Sequence, residues 1–243
     1  MTAPGTMRYR VRHAADARDR AACLDLRRTV FPADRAAADP LDALFAHVLV
    51  EDGQGRVVCT FRHIVHPSGG DVHRGYCGGL YALDALARQP GPMIELGRFC
   101  IRPGPDAPDI LRLAWGWLAR LVDDSGAAML FGCASFPGAD PAAHRAALGH
   151  LYRRHRAPPD WRPGRRAGRI VELAPLAREG ADAMAGMPPL LRSYLAMGGR
   201  AGDHAVIDAA MDTLHVFVGV PVAGIPPARA RLLRALAGAC DGH

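Results

Sequence analysis

A carboxylate and a guanidinium, Glu95 and Arg98, lie three residues apart in the mostly apolar stretch 93–103. A Gly-Pro pair before this stretch and a Pro-Gly pair after it predict a strand bounded by turns. Side chains alternate along a strand, so the two charges would face opposite sides unless the strand contains a bulge. Gly97 is the predicted bulge site, because an interior glycine weakens a strand. A bulge would aim a general base and an anion-binding group into one cleft; a surface ion pair is the alternative.

Charged side chains also interrupt other predicted elements. Arg62 lies inside an apolar hairpin strand, where an arginine needs a buried anionic partner or must reach solvent along its stem. Arg27 ends a predicted helix over 14–31, where the helix dipole alone would favour a cation. Asp39 and Asp42 lie in a loop before the hairpin. They could bind a substrate ammonium, and a helix N-cap at Asp39 is the alternative.

The basic residues are unusual, because all 30 lysine-plus-arginine positions are arginine. The chain therefore lacks the lysine that Schiff-base chemistry and P-loop nucleotide binding require. A formal net charge of +6 indicates an acidic partner. A carrier protein, an anionic membrane surface and a nucleic acid are the candidates, and solubility alone is the alternative.

The densest positive segment spans residues 153–169, with seven arginines and one acidic residue. Arg153, Arg154 and Arg156 begin it and are the candidates for docking an acidic carrier protein. A membrane, an RNA or a simply solvated loop would explain the same composition.

The remaining chemistry-bearing residues exclude several functions. The six cysteines show no CxxC pairing, which predicts reduced, buried thiols, and the histidines show no metal-ligand spacing, which predicts no metal. Ser135 lies in Gly-Cys-Ala-Ser-Phe-Pro-Gly, which lacks the glycine spacing of a hydrolase nucleophile elbow. No apolar run approaches the 18 or so residues that span a bilayer. We therefore expect a cytoplasmic protein, with membrane association left open.

These residues are spread along predicted strands and helices that alternate in the sequence. We predict one domain over 1–243, with a core at about 8–222 and a C-terminal helix at about 227–240. The predicted strands are 8–12, 48–51, 56–65, 93–102, 127–133, 171–173 and 214–222. The predicted helices are 14–31, 81–89, 109–123, 141–152, 187–197 and 229–239.

Several motifs together resemble one enzyme family. The Glu95-Leu-Gly-Arg98 strand is similar to the Glu-x-x-Arg strand of acyl-homoserine-lactone synthases and, more closely, of L-ornithine N-alpha-acyltransferases, which make lyso-ornithine lipid. Residues 26–31 look like that family's LRxxVF helix, and residues 130–138 like its LFGCASFPG. Residues 187–195 and 202–208 look like its LPPLIKGYL and GDGAVID, which favours the ornithine branch.

The resemblance implies an α/β (α+β) fold of the GNAT type, a mixed, mostly antiparallel central sheet flanked by helices. It implies an acyltransferase that moves a long-chain 3-hydroxyacyl group from acyl carrier protein to the alpha-amine of an amino acid, ornithine first. No further cofactor, metal or nucleic acid is implied. An acyl-homoserine-lactone-type synthase and a non-catalytic basic module binding membranes or nucleic acid are the alternatives.

The resemblance also assigns roles by position. Glu95 would be the base, Arg98 would orient the substrate carboxylate, and a bulge would free the backbone N–H of Phe99 for the oxyanion. The positions that would bind substrate are Arg27, Phe31, Asp39, Asp42, His47, Arg62 and Ser135.

The chain differs at one place from acetyl-CoA enzymes of this fold and at two places from the family that it resembles. The loop that forms a Gly-rich pyrophosphate cradle in acetyl-CoA enzymes of this fold reads Gly-Pro-Asp-Ala-Pro-Asp at 104–109, which favours a carrier-bound donor over coenzyme A. Phe99 replaces a small residue, which would narrow the acyl tunnel. The family's Phe-Asn-Thr-x-Asp is here Met-Asp-Thr-Leu-His at 211–215, so glutamine, glycine and lysine stay open as acceptors.

Overall fold

The structure is a computed structural model that describes residues 8–31, 39–176 and 183–239. Contacts divide the described residues into two compact units. The first unit takes the chain up to residue 64, residues 97–124 and residues from 227 onward. The second takes residues 65–96 and 125–226.

Strands and helices alternate along the described chain. The strands are β1 Tyr9–His13, β2 Ala46–Asp52, β3 Val57–His66, β4 Tyr81–Ala82, β5 Met93–Ile101, β6 Met129–Pro137, β7 Gly164–Arg165, β8 Ile170–Glu172, β9 Arg200–Asp208 and β10 Thr213–Pro221. The helices are α1 Ala17–Val30, α2 Tyr76–Leu80, α3 Asp84–Ala87, α4 Ala107–Ser125, α5 Arg145–His155, α6 Pro189–Ala196 and α7 Pro227–Ala239. The helix predicted over 81–89 is wrong in its first residues, because Tyr81 and Ala82 form β4 and pair with β7.

The first unit is built on the antiparallel strands β1, β2 and β3, in that order. Helix α1 starts where the side chain of Asp16 accepts the backbone N–H of Asp19, an N-cap that satisfies one orphan donor. It ends where the N–H of Phe31 donates to the carbonyl of Arg27. Arg27 is therefore held on the last turn, with its side chain almost fully buried.

The second unit is built on residues 93–96 of β5, which pair with β6 in parallel, followed by β10, β9 and β8 in antiparallel order. Thr213 to Val220 of β10 are all buried, as expected for an interior strand covered on both faces. A cluster that includes Tyr81, Phe131, Trp161 and Phe217 forms the core. The fold prediction is confirmed: the strands form a mixed, mostly antiparallel sheet flanked by helices.

Strand β5 contains an irregularity, but one residue later than the sequence suggests. Arg98, and not Gly97, has left-handed backbone geometry, with φ of +51°. The left-handed region is costly for any residue with a Cβ, so surrounding contacts must hold Arg98 in it. The parallel pairing of β5 with β6 ends just before this point, at Leu96 and Gly132.

Candidate active site

Glu95 is fully buried in the second unit, where β5 places it beside Phe131 of β6. Its Oε1 accepts the backbone N–H of Cys77 at 2.7 Å. Its Oε2 lies 3.3 Å from Nε2 of His66. A buried carboxylate is costly unless it is hydrogen-bonded, and these two neighbours satisfy it. The result is a proton acceptor fixed in one orientation.

Gly75 creates the space that this carboxylate occupies. A Cβ at position 75 would lie 1.6 Å from Oε2 of Glu95 and 2.6 Å from its carboxyl carbon. Gly75 directly precedes α2, so the same short segment leaves room for one oxygen of Glu95 and donates the Cys77 N–H to the other. Only glycine fits this close approach of side chain to backbone.

Cys77 contributes its backbone rather than its thiol. Burial raises the pKa of the Cys77 thiol well above its usual range, and the neighbouring Cys133 and Glu95 raise it further. The sulfur atoms of Cys77 and Cys133 lie 3.5 Å apart, and Cys23, Cys59 and Cys100 are also buried thiols. A neutral thiol is a poor nucleophile, so Cys77 acts by packing and by its N–H.

A second polar cluster in the same unit surrounds His215. Ser135 and His215 are direct partners across β6 and β10, and the Ser135 Oγ lies 3.0 Å from the His215 Nδ1. The other ring nitrogen, Nε2, lies 3.1 Å from Oδ2 of Asp208 and 3.3 Å from the hydroxyls of Tyr76 and Thr213. Strand β6 continues to Pro137, past its predicted end, and this extension brings Ser135 into the ladder.

Asp208 stays ionised in this cluster. The hydrogen bond from His215 lowers the pKa of Asp208, against the opposing effect of burial, and the N–H of Met211 lowers it further. The side chain of His215 is 4% exposed, whereas that of Asp208 is 21% exposed. The imidazole is therefore held between a serine hydroxyl and a carboxylate.

The first unit holds a separate network of ion pairs. Arg27 binds Asp42 in a bidentate manner, at 3.0 and 2.8 Å. Arg62 reaches Asp42 at 2.5 Å and Asp39 at 2.9 Å, and Arg98 reaches Asp39 at 3.1 Å. Burial would raise the pKa of Asp42, but the Arg27 hydrogen bond and the Arg62 charge overcome it, so the net shift is downward. Asp39 shows the same net lowering, against burial, from Arg62, the Leu41 N–H and Arg98.

Five residues predicted to contact substrate are part of this network. The arginines expected to hold a substrate carboxylate and the aspartates expected to hold a substrate ammonium bind one another. The capping alternative for Asp39 is also realised, because its side chain accepts the N–H of Leu41. Among the described residues the network joins three guanidinium groups and two carboxylates, and recognition of a substrate carboxylate by it stays a prediction.

Three other predicted substrate contacts lie within the described residues. His47 places Nε2 3.1 Å from the carbonyl of Asp42, and burial lowers the pKa of its imidazole despite the nearby Asp42. Phe99 stacks on Phe61 with ring centroids 4.8 Å apart. Phe31 is half-buried where α1 ends. A direct part for Phe31, His47 or Phe99 in the chemistry stays a prediction.

The basic segment divides into two parts. Arg154 and Arg156 are exposed and Arg153 is half-buried, at the end of α5. Further along, Arg162 and Arg165 both pair with Asp203, and Trp161 is buried. Arg166 and Arg169 are exposed as well, so the segment carries exposed cations at its start, residues 153–156, and at its end, residues 166–169.

The sequence missed four parts of this site: His66, Gly75, the Cys77 amide and the Asp208–His215 pair. The glycines at 75, 78 and 79 and the departure at His215 were the available signals. Among the described residues, no group of three or more histidine, cysteine or acidic side chains is arranged to hold a metal ion. Within the same residues, no helix is both long and apolar enough to cross a membrane.

Comparison with known proteins gives consistent matches. A family model described as an acetyltransferase (GNAT) domain matches residues 23–116. A protein of Rhodobacter capsulatus named L-ornithine N(alpha)-acyltransferase is 31% identical over 237 residues, covering 89% of this chain and 91% of the relative. One of the same name from Rhizobium meliloti is 32% identical over 200 residues, covering 77% of this chain and 67% of the relative.

Among solved structures, an N-acyl amino acid synthase from uncultured soil microbes is similar with a TM-score of 0.48 and 11% identity. The match covers 96% of this chain and 99% of that one.

Proposed function

The chain belongs to the family of L-ornithine N(alpha)-acyltransferases, and we propose that it acylates the alpha-amine of an amino acid, ornithine first, with a long-chain 3-hydroxyacyl group from acyl carrier protein. The family membership makes it an acyltransferase. The observation that carries the proposed chemistry is the buried carboxylate of Glu95, fixed by the Cys77 N–H beside His66.

The reaction requires a base because the acceptor amine arrives as an ammonium, and only the free amine attacks a thioester. Glu95 takes this proton through a water molecule, since its side chain is 1% exposed and reaches no bulk solvent directly. His66, at 3.3 Å, is placed to pass the proton onward between turnovers. The amine then attacks the acyl carbon, and the thiol leaves.

The proposed donor is carrier-bound because the start of α4 is poorly suited to a diphosphate. The N–H of Ala107 donates to the carbonyl of Gly104, and the N–H groups of Asp109 and Ile110 donate to Asp106. Pro108 has no N–H to offer, and the nearby cations Arg8 and Arg112 are already paired with Asp106 and Asp109. A carrier-bound phosphopantetheine carries a single phosphodiester, which the carrier itself holds. Coenzyme A should therefore be the poorer donor.

The decisive experiment measures N-acyl product by mass spectrometry, with purified protein, ornithine, and either 3-hydroxyacyl carrier protein or the matching acyl-CoA. We expect N-alpha-acylornithine, with a higher kcat/KM for the carrier-bound donor. Comparable kcat/KM for both donors would reject the donor assignment. Consumption of S-adenosylmethionine with lactone formation would instead support a homoserine-lactone-type synthase.

The Glu95→Gln variant tests the base. Glutamine keeps the size of the side chain and an oxygen for the Cys77 N–H, so kcat should fall by about 10²–10⁴-fold, the usual contribution of a general base. Glu172→Gln, at an exposed carboxylate paired with Arg165, is the matched control and should keep full activity. A Glu95→Gln protein that turns over at the wild-type rate would end the catalytic assignment.

A further inference from the structure

The His215 cluster supplies a group that acyl transfer needs and that Glu95 does not provide. Acyl transfer makes two kinds of proton demand, since the acceptor ammonium must lose two protons to become an amide nitrogen and the departing thiolate must gain one. Ser135 is half-exposed, and it lies three residues beyond Gly132, where the pairing of β6 with β5 ends. The backbone of β6 is no longer paired with β5 at Ser135, and the Ser135 hydroxyl lies 3.0 Å from a buried imidazole.

Building on the proposed function, we propose that Ser135 is the catalytic acid that protonates the departing thiolate, with His215 and Asp208 as the positioning residues that resupply its proton.

The proton balance can be followed atom by atom. The C–S bond of the tetrahedral intermediate breaks, and its electron pair leaves on sulfur. The Ser135 Oγ–H proton moves to that sulfur, while the Nδ1–H of a doubly protonated His215 moves to Oγ. The ionised Asp208, 3.1 Å from Nε2, stabilises the positive ring before transfer. A proton from solvent then restores Nδ1–H. The acceptor nitrogen loses two protons, the first as an ammonium before attack and the second from the tetrahedral intermediate, and Glu95 takes each in turn and releases it to water.

The geometry favours an acid over a nucleophile at Ser135. A nucleophilic serine is typically presented on a sharp strand-to-helix turn, whereas Ser135 lies within β6, paired directly with His215 of β10. A hydroxyl that accepts a hydrogen bond from a ring N–H can turn its own proton outward, toward a leaving group. The cross-strand pairing keeps the hydroxyl beside the His215 Nδ1.

The acid and the base are joined by one short segment. Cys77 donates its N–H to Glu95, and the adjacent Tyr76 places its hydroxyl 3.3 Å from Nε2 of His215. Three consecutive residues, from Gly75 to Cys77, therefore contact both proton-handling groups. This connection explains why the cluster belongs to the reaction rather than to packing elsewhere in the unit.

The test varies the leaving group. Wild type, Ser135→Ala, Ser135→Thr and His215→Gln are assayed with ornithine and two donors, the 3-hydroxyacyl thioester of pantetheine and that of an electron-poor thiophenol. An arylthiolate leaves without protonation. Ser135→Ala and His215→Gln should therefore lose about 10²-fold or more with the pantetheine thioester, yet stay within a few-fold of wild type with the aryl thioester. Ser135→Thr retains the hydroxyl and should recover much of the rate.

The controls separate the possible failures. Ser193→Ala, at a half-buried serine of α6 whose hydroxyl donates to the carbonyl of Pro189, should behave as wild type with both donors, and Glu95→Gln should lose rate with both. Equal losses by Ser135→Ala with both donors would overturn the acid role. An acyl adduct on the wild type without acceptor, absent from Ser135→Ala by intact mass, would overturn it in favour of a covalent acyl-serine. A wild type that makes no N-acyl product would instead refute the proposed function.

Discussion

At the scale of single residues, a backbone amide and a glycine, neither of which reacts, hold the carboxylate of Glu95 in place. Glu95 was predictable because a carboxylate in an apolar strand is conspicuous in a sequence. Its partners were not, because the Cys77 amide and the space left by Gly75 depend on contacts 18 and 20 residues away along the chain. The position of the buried carboxylate thus depends on the absence of a side chain at Gly75 as much as on its hydrogen-bond partners.

Gly75→Ala should abolish most activity although it adds only one methyl group. The new Cβ would overlap Oε2 of Glu95, so the carboxylate must leave its place between Cys77 and His66. The backbone of Gly75 has φ of −86°, which alanine also adopts, so the effect should arise from the side chain alone. We expect kcat to fall about as far as in Glu95→Gln, roughly 10²–10⁴-fold.

Gly79→Ala is the matched control for that variant. Gly79 lies in α2, the short helix that Gly75 directly precedes, and a Cβ at position 79 would meet nothing within 4 Å. Steady-state kinetics of the two variants, run beside thermal melts, should separate them clearly. If Gly75→Ala and Gly79→Ala have the same kcat, the position of Glu95 is not what the reaction depends on.

At the scale of elements, the most informative feature is the left-handed residue in β5. A side chain at φ of +51° costs roughly 1–2 kcal/mol relative to a relaxed backbone, and glycine avoids that cost. Arg98→Gly should therefore be more stable than Arg98→Ala by about 1 kcal/mol, although both lose the same guanidinium contact with Asp39. Urea unfolding of the two variants measures the difference.

Arg102 is the matched control for the glycine and alanine substitutions at Arg98. It lies just after β5 and is not among the residues with positive φ, so alanine should be at least as stable as glycine there. An Arg98→Gly variant that is less stable than Arg98→Ala would show that the left-handed conformation carries no strain.

A second prediction at this scale concerns acid stability of the first unit. Burial, and then the nearby His13 and His47, lower the pKa of His63 to about 4. The ordinary histidine value of about 6.5 applies to the unfolded chain, so between those values the unfolded state binds more protons. Stability should therefore fall as pH falls from about 6.5 towards 4.

His63→Gln should flatten that fall, although the lowered pKa values of His13 and His47 leave part of the slope. Urea midpoints at pH 7 and pH 5 give the measurement, and the difference between the two pH values should be smaller in the variant. Parallel pH profiles for the two proteins would show that His63 does not resist protonation in the folded state.

The comparison of sequence and structure also belongs at this scale. Local patterns predicted α1, the β2–β3 hairpin and the strand of Glu95, because apolar periodicity and turn residues act over short distances. Local patterns failed where residues distant in the sequence determine the structure. One example is β6, which extends to Pro137 because it pairs with β10. The same reason hid the ion pairs, since nothing local shows that Arg62 binds Asp39 and Asp42.

At the scale of the whole molecule, the net charge of +6 is not spread evenly. Many arginines are neutralised by carboxylates, including Arg12 by Asp19 and Glu51, and Arg234 by Asp123. The end of α5 has a positive local field, because the pKa of His150 is lowered by burial and then by the charges of Arg153 and Arg154. Arg200 adds a further cation by donating to the carbonyl of Arg154. This local field is the best candidate for attracting an acidic carrier protein.

Replacing Arg153, Arg154 and Arg156 with glutamine should raise the KM for the carrier-bound donor and flatten its salt dependence, because long-range attraction between charged surfaces is screened by ions. The same variant should process a pantetheine thioester at the wild-type rate, since that donor has no acidic surface. Glutamine at the exposed Arg18, Arg20 and Arg229 removes the same formal charge elsewhere and serves as the control. If both triple variants shift the carrier KM equally at 50 and 300 mM salt, net charge rather than the end of α5 attracts the carrier.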